Sequence, residues 1–203
     1  MLKQLLKSKI FNELIKEGLN EKDVLDIFLF GSVVRGKEEP NDIDLLVVYV
    51  SKEDTDYNYE LRKKLEREGF KVHVNGISYK DLFNSSFFAR EGILFEGYSF
   101  KSKDFLTHAF GFSSFMLFRY HFDGMNNSDR MRFYYALYGR NNEKGVMEEF
   151  NCYKFSDKLV ISPIENADKF SEFLERRKVR FEKIPIFLPE RLASRKFLSD
   201  NEK

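Results

Sequence analysis

Two apolar runs, Ile27-Phe28-Leu29-Phe30 and Ile43 to Val50, stand close together in the chain, and the short segment joining them holds most of its chemistry. Gly31-Ser32 closes the first run; Asp42 and Asp44 open the second. Runs this short and this rich in β-branched and aromatic residues read as buried strands, and Pro40 keeps the polar stretch between them from continuing either one. Side chains alternate along a strand, so Asp42 and Asp44 share one face while Ile43 and Leu45 point into the core. Two carboxylates side by side repel unless a cation stands between them, and hard oxygen ligands favour Mg²⁺ or Mn²⁺. Mg²⁺ held by one or two carboxylates completes its shell with waters and phosphates. Gly31 lets the backbone approach an anion closely, and Ser32 adds a hydroxyl donor.

The elements around this pair follow from hydrophobic period. Leu2, Leu5, Leu6, Ile10, Phe11, Leu14 and Ile15 recur at three and four, which predicts a helix over residues 2–17 stopped at Gly18. Residues 57–68 form a charged helix with Leu61 and Leu65 on one side, and Phe70 to Ile77 alternates as a third strand. A helical stretch from Tyr79 through Arg90 leads to a short strand at Gly92–Gly97. The boundary of a first domain, residues 1–100, is placed there. In the remainder, 101–203, the patterns predict helices at Phe112–Phe122 and Ser128–Tyr138, the latter capped by Ser128, short strands within 146–162, a helix at Ala167–Arg177, a strand at Val179–Phe187 and a frayed tail from Leu198.

Gly31-Ser32, nine intervening residues and Asp42-Ile43-Asp44 resemble the signature of the DNA polymerase β-type nucleotidyltransferase superfamily, and most of all its minimal nucleotidyltransferase branch. The preceding amphipathic helix, Leu29-Phe30-Gly31-Ser32, the Arg35-Gly36 that follows it, and the apolar tail after Asp44 share in the likeness, which spans roughly residues 1–97. The resemblance implies a mixed sheet flanked by helices; with the helix and strand patterns beyond residue 100, the expected fold is α+β, with a smaller α+β C-terminal domain. The resemblance also implies an NTP substrate, Gly31 and Ser32 at the phosphates, Arg35 near the triphosphate, and divalent metals on Asp42 and Asp44. One departure stands out: the family supplies a third carboxylate from the strand that here reads Lys71-Val72-His73-Val74-Asn75-Gly76. His73 is the candidate replacement, as base or ligand, since neutral imidazole serves both roles. Glu91 and Glu96 are the other acids near enough in sequence to contribute.

Composition narrows the function classes. With 34 Lys+Arg against 33 Asp+Glu the chain is no basic nucleic-acid coat, and its single cysteine, Cys152, supports neither an internal disulfide nor a Cys-rich zinc site. No run reaches the length of a membrane helix and the N-terminus lacks a signal-peptide core, so the expectation is a cytoplasmic protein with no membrane partner. The 23 Phe and 10 Tyr are first of all core material. Two basic stretches remain open. Arg130, Arg132 and Arg140 accompany Met131, Tyr134, Tyr135 and Tyr138 on one helix, which suits an acceptor-binding or an RNA- or DNA-contacting surface of the C-terminal domain, or a core helix with solvated arginines. Arg176-Arg177-Lys178 with Arg180 is flanked by Glu172, Glu175 and Glu182, which suits a solvated face first and a phosphate-contact patch second. The leading expectation is a metal-dependent nucleotidyltransferase moving an NMP from an NTP to the hydroxyl of a small molecule, protein or RNA. The rival is a catalytically impaired module of the same fold that binds nucleic acid or a protein. An open cleft where His73 faces the two acids favours the enzyme.

Overall fold

The computed structural model describes residues 2–193, Asn142 excepted, and divides into a first unit, Met1–Phe110, and a second that begins at Gly111. The sequence expectation sets this division at residue 100. The extra ten residues carry a strand and a short 3₁₀ turn that close the first sheet. The tail from Leu198 lies outside the described residues.

The first unit runs α1 (Leu2–Leu5), α2 (Lys9–Leu19), β1 (Val24–Phe30), β2 (Ile43–Tyr49), α3 (Thr55–Arg67), β3 (Val72–Ser78), α4 (Tyr79–Leu82), α5 (Arg90–Glu96), β4 (Tyr98–Ser99) and β5 (Asp104–Phe105). Its sheet has the order β3-β2-β1-β4-β5; β2 and β3 are parallel and the other neighbours antiparallel. Alternation sorts the strands onto two faces. Ile27, Leu29, Leu45, Val47 and Tyr49 meet Phe11 and Ile15 of α2 and Leu61 and Leu65 of α3 in one core. Phe28, Leu46 and Val48 point the other way, toward Ile93 of α5 and Ile77. Asp44, two residues before Leu46, belongs to this second face.

Three expectations for this unit change. The helix expected at 2–17 is broken, because Ser8 caps α2 by accepting from the Phe11 N–H, and Gly18 lies inside α2 rather than stopping it. A Cβ on Gly18 would meet the Tyr57 hydroxyl at 2.8 Å and the Ile27 side chain at 2.9 Å, so it is a packing glycine. The helix expected from Tyr79 to Arg90 ends at Leu82. The strand expected at Gly92–Gly97 is instead α5, with Ile93 and Glu96 buried one turn apart on one helix face.

The second unit contains β6 (Phe112–His121), α6 (Asn127–Tyr138), the hairpin β7 (Gly139–Arg140) and β8 (Glu143–Lys144), α7 (Val146–Glu149), β9 (Tyr153–Ser156), β10 (Leu159–Pro163), α8 (Ala167–Arg176) and β11 (Arg180–Pro189). An antiparallel sheet of order β11-β6-β10-β9 forms its centre. Phe118 and Tyr120 of β6 meet the rings of Phe170 on α8 and Phe133 on α6, with centroids 4.9 and 5.4 Å apart. The helix expected at Phe112–Phe122 is therefore a central strand. It is paired on both edges, and its contiguous apolar stretch, Phe115–Phe118, with the neighbours Phe115 and Met116 both buried, is too short for its period to separate strand from helix. Asn126, not Ser128, caps α6, accepting from the Asp129 N–H.

Candidate active site

Gly31 ends β1 beside the start of β2, where Phe30 pairs with Asp44. Its φ of +81° lies in the left-handed region, and a Cβ there would come within 2.5 Å of the Asp44 carboxylate. Position 31 thus demands glycine twice over, for backbone conformation and for the carboxylate packed against it. From Gly31 the chain makes a helical turn: the Gly31 carbonyl accepts from Val34 and Arg35, and the Ser32 carbonyl accepts from Lys37. Val33 and Val34 are buried in the α2/α3 core, which holds this turn down. Ser32 is left half-buried at its outer side.

The parallel pairing of β2 and β3 sets Asp44 opposite His73. His73 Nδ1 lies 3.4 Å from Asp42 Oδ2 and 3.6 Å from Asp44 Oδ1, and one ligand atom from each residue falls within 4.8 Å of the others. These separations are long for hydrogen bonds. They fit side chains grouped around an ion, since neighbouring ligands of an octahedral Mg²⁺ at about 2.1 Å are roughly 3 Å apart. The His73 side chain is 61% exposed, whereas those of Asp42 and Asp44 are 22% and 26% exposed. The cluster is therefore open to solvent on the histidine side and walled on the other. Burial, then the charge of Asp42, raise the Asp44 pKa above the ordinary carboxylate value, against the opposing pull of His73 and Arg35. This is the electrostatic state of a site that a cation would relieve. Asn75, on the same side of β3, is exposed and stands outside this group.

Of the two nearby glutamates, the structure separates one from the other. Glu91 lines an apolar cavity of about 540 Å³ with Phe28, Val48, Leu82 and Ile93, toward the opposite end of the strands from the acids. Glu96, at the end of α5, comes to the Gly31 turn. Its Oε1 accepts from the Gly31 N–H at 2.8 Å, and Arg35 Nη1 donates to Oε1 at 2.7 Å and Oε2 at 2.9 Å. Sequence reasoning offered Glu96 only as one acid among others, because its segment reads as a strand. Helical phasing of Ile93 with Glu96 was the signal available.

The second unit has no comparable convergence among its described residues. On α6 the buried side chains are Phe133 and Leu137. Arg130 stacks over Phe122 and donates to the carbonyls of Met125 and Phe122, Arg132 pairs with Asp129, and Arg140 stacks over Tyr135. Arg176 pairs with Glu172 and Arg180 with Asp123. Cys152 is buried and its thiol is pushed up to about 12 by desolvation, the opposite of a reactive cysteine.

Residues 12–96 match the family described as polymerase beta, nucleotidyltransferase. The solved structures with likeness to the chain include a toxin–antitoxin MntA-HepT complex, 17% identical over 54% of this chain and 80% of that one, with a TM-score of 0.31. Another is a toxin–antitoxin with AMP-PNP, 24% identical over 44% of this chain and 71% of that one, with a TM-score of 0.35. A third is a tri-AMPylated HEPN toxin in complex with MNT antitoxin from Shewanella oneidensis, 19% identical over 44% and 71%, with a TM-score of 0.30. No curated protein matches the chain.

Proposed function

We propose, from the polymerase β-type nucleotidyltransferase domain that residues 12–96 form, that this chain transfers an NMP from an NTP to an acceptor hydroxyl and releases pyrophosphate. The observation that carries the reading is the convergence of Asp42, Asp44 and His73 at an open sheet end, beside a glycine turn in contact with Asp44. Asp42 and Asp44 would hold Mg²⁺ or Mn²⁺; bound there with the NTP, such an ion supplies charge neutralisation at the phosphoryl oxygens.

The remaining work falls to the chain itself. The Gly31-Ser32 turn receives the phosphates: Ser32 offers its hydroxyl, and the missing side chain at 31 lets the turn lie against Asp44, so that phosphate donor and metal ligand stand side by side. Arg35 adds a positive charge at the edge of the turn. His73, in its neutral form, accepts the proton of the acceptor hydroxyl as that oxygen attacks the α-phosphorus. The bond from the α-phosphorus to the bridging oxygen breaks, and the electron pair leaves with pyrophosphate. The exposure of His73 suits a group that must meet an acceptor arriving from solvent. Catalysis of this kind rests on positioning and electrostatics rather than on a covalent enzyme intermediate.

The test is incubation of the purified chain with each labelled NTP, Mg²⁺ or Mn²⁺ and a panel of hydroxyl acceptors comprising RNA, protein and small molecules. The expected result is one product heavier by an NMP with matching pyrophosphate, lost in Asp42→Asn/Asp44→Asn. Absence of product and of pyrophosphate with all NTPs and acceptors would contradict the reading.

A further inference from the structure

We infer that Glu96 is a positioning residue that sets the place of the Asp44 carboxylate without touching it, acting through Gly31 and Arg35. The inference rests on the reading that Asp44 ligates a cation.

A carboxylate with a 7% exposed side chain is costly unless it is fully paired, and Glu96 is paired entirely with the Gly-Ser turn and its arginine. One oxygen holds the Gly31 N–H and Arg35 Nη1; the other holds Arg35 Nη1 again. Both partners bear on Asp44. Gly31 packs against it so closely that a Cβ would strike Oδ2, so the path of the backbone at 31 limits where that carboxylate can sit. Arg35 stands near enough for its charge to act on Asp44.

Glu96 comes from α5, 65 residues beyond Gly31 in the chain. It therefore ties the turn to a helix packed on the sheet through Ile93, so that the turn does not rest only on its own hydrogen bonds. Charge-assisted hydrogen bonds of this kind are stronger than neutral ones and fix direction as well as distance. Groups that orient a metal ligand from behind commonly change metal affinity by about 10–100-fold when removed.

The experiment is a titration of the full chain with Mn²⁺ alone, following the free-ion electron paramagnetic resonance signal, with circular dichroism and melting on each variant. Asp44→Asn is expected to abolish the site. Glu96→Gln keeps an oxygen for Gly31 but loses the charge that holds Arg35, and should bind Mn²⁺ about 10–100-fold more weakly while folded. Arg35→Gln/Glu96→Gln replaces the ion pair by two neutral amides of similar size, so it should fold even if the single variant does not, and should bind as weakly. Wild-type Mn²⁺ affinity in folded Glu96→Gln or in the double variant overturns the positioning role. Wild-type affinity in Asp44→Asn overturns the cation site, and the positioning role with it.

Discussion

The β2/β3 end of the first sheet and helix α6 of the second unit are both rich in charged side chains, yet their charges are arranged in opposite ways. On α6 and just beyond it each arginine is satisfied locally: Arg132 by an acid one turn away, Arg130 by carbonyls and the Phe122 ring, and Arg140 of β7 by the Tyr135 face. At the sheet end, two carboxylates lie together beside an imidazole at distances too long for good hydrogen bonds, and burial has made the charge of Asp44 harder to carry. Dispersed, locally paired charge solubilises a helix. Convergent carboxylates, one of them partly desolvated, are the arrangement that the proposed metal site requires.

That contrast can be broken most severely at the acids. Asp42→Asn/Asp44→Asn should reduce nucleotidyl transfer by roughly a thousandfold or more, since it removes both anions that would hold the metal. Charge-removing changes on α6, Arg130→Gln and Arg132→Gln, should leave nucleotidyl transfer within about twofold, because exposed and locally paired charges contribute little. Equal losses at the two places would erase the distinction.

His73→Ala comes next. Loss of a general base costs about 10²–10⁴-fold in rate, so kcat should fall while NTP affinity holds. His73→Asp restores a carboxylate on this strand and should recover transfer. A wild-type rate in His73→Ala would remove the histidine from the chemistry. Gly31→Ala should weaken NTP binding by about 10–100-fold, from a side chain forced into a left-handed backbone and against Asp44. Ser32→Ala, which deletes one hydroxyl donor, should weaken it less.

The smallest effect concerns stability without metal. Because the folded-state pKa of Asp44 is raised, its contribution favours the fold at acid pH and is lost as pH rises through that value. Asp44→Asn should therefore raise the melting temperature slightly at neutral pH when no divalent ion is present, and the gain should vanish toward acid pH. The same raised pKa means that protons compete with Mn²⁺ at higher pH than they would at an ordinary aspartate. A melting temperature that falls in Asp44→Asn at neutral pH would show that the carboxylate is not the strained member of the cluster.

The difference between the two regions also explains what could be read from sequence. The motif strands were legible because β1 and β2 are short apolar runs bounded by turn residues and β3 alternates; that Asp42 and Asp44 share one face followed from their spacing, and their expected role from the family resemblance. That His73 sits beside them depends on the register of β2 with β3, which the residue pattern does not encode. Glu96 was obscured for a different reason. Gly92 and Gly97 bracket a short apolar run that reads as a strand, and only the helix places Ile93 and Glu96 on one face, with the acid at Gly31. The failure at Phe112–Phe122 is of the same kind, since the four contiguous apolar residues Phe115–Phe118 carry too short a period for strand and helix to be told apart.

The central claim is that Asp42 and Asp44 hold a divalent cation against the phosphates of an NTP on the Gly31-Ser32 turn. A crystal structure with Mn²⁺ and a non-hydrolysable NTP, with anomalous scattering at the manganese edge, tests it most directly. The account predicts an anomalous peak roughly 2.1–2.3 Å from an oxygen of each aspartate, with the triphosphate on the turn. A nucleotide bound elsewhere, or no peak between the two aspartates at saturating Mn²⁺, would contradict it.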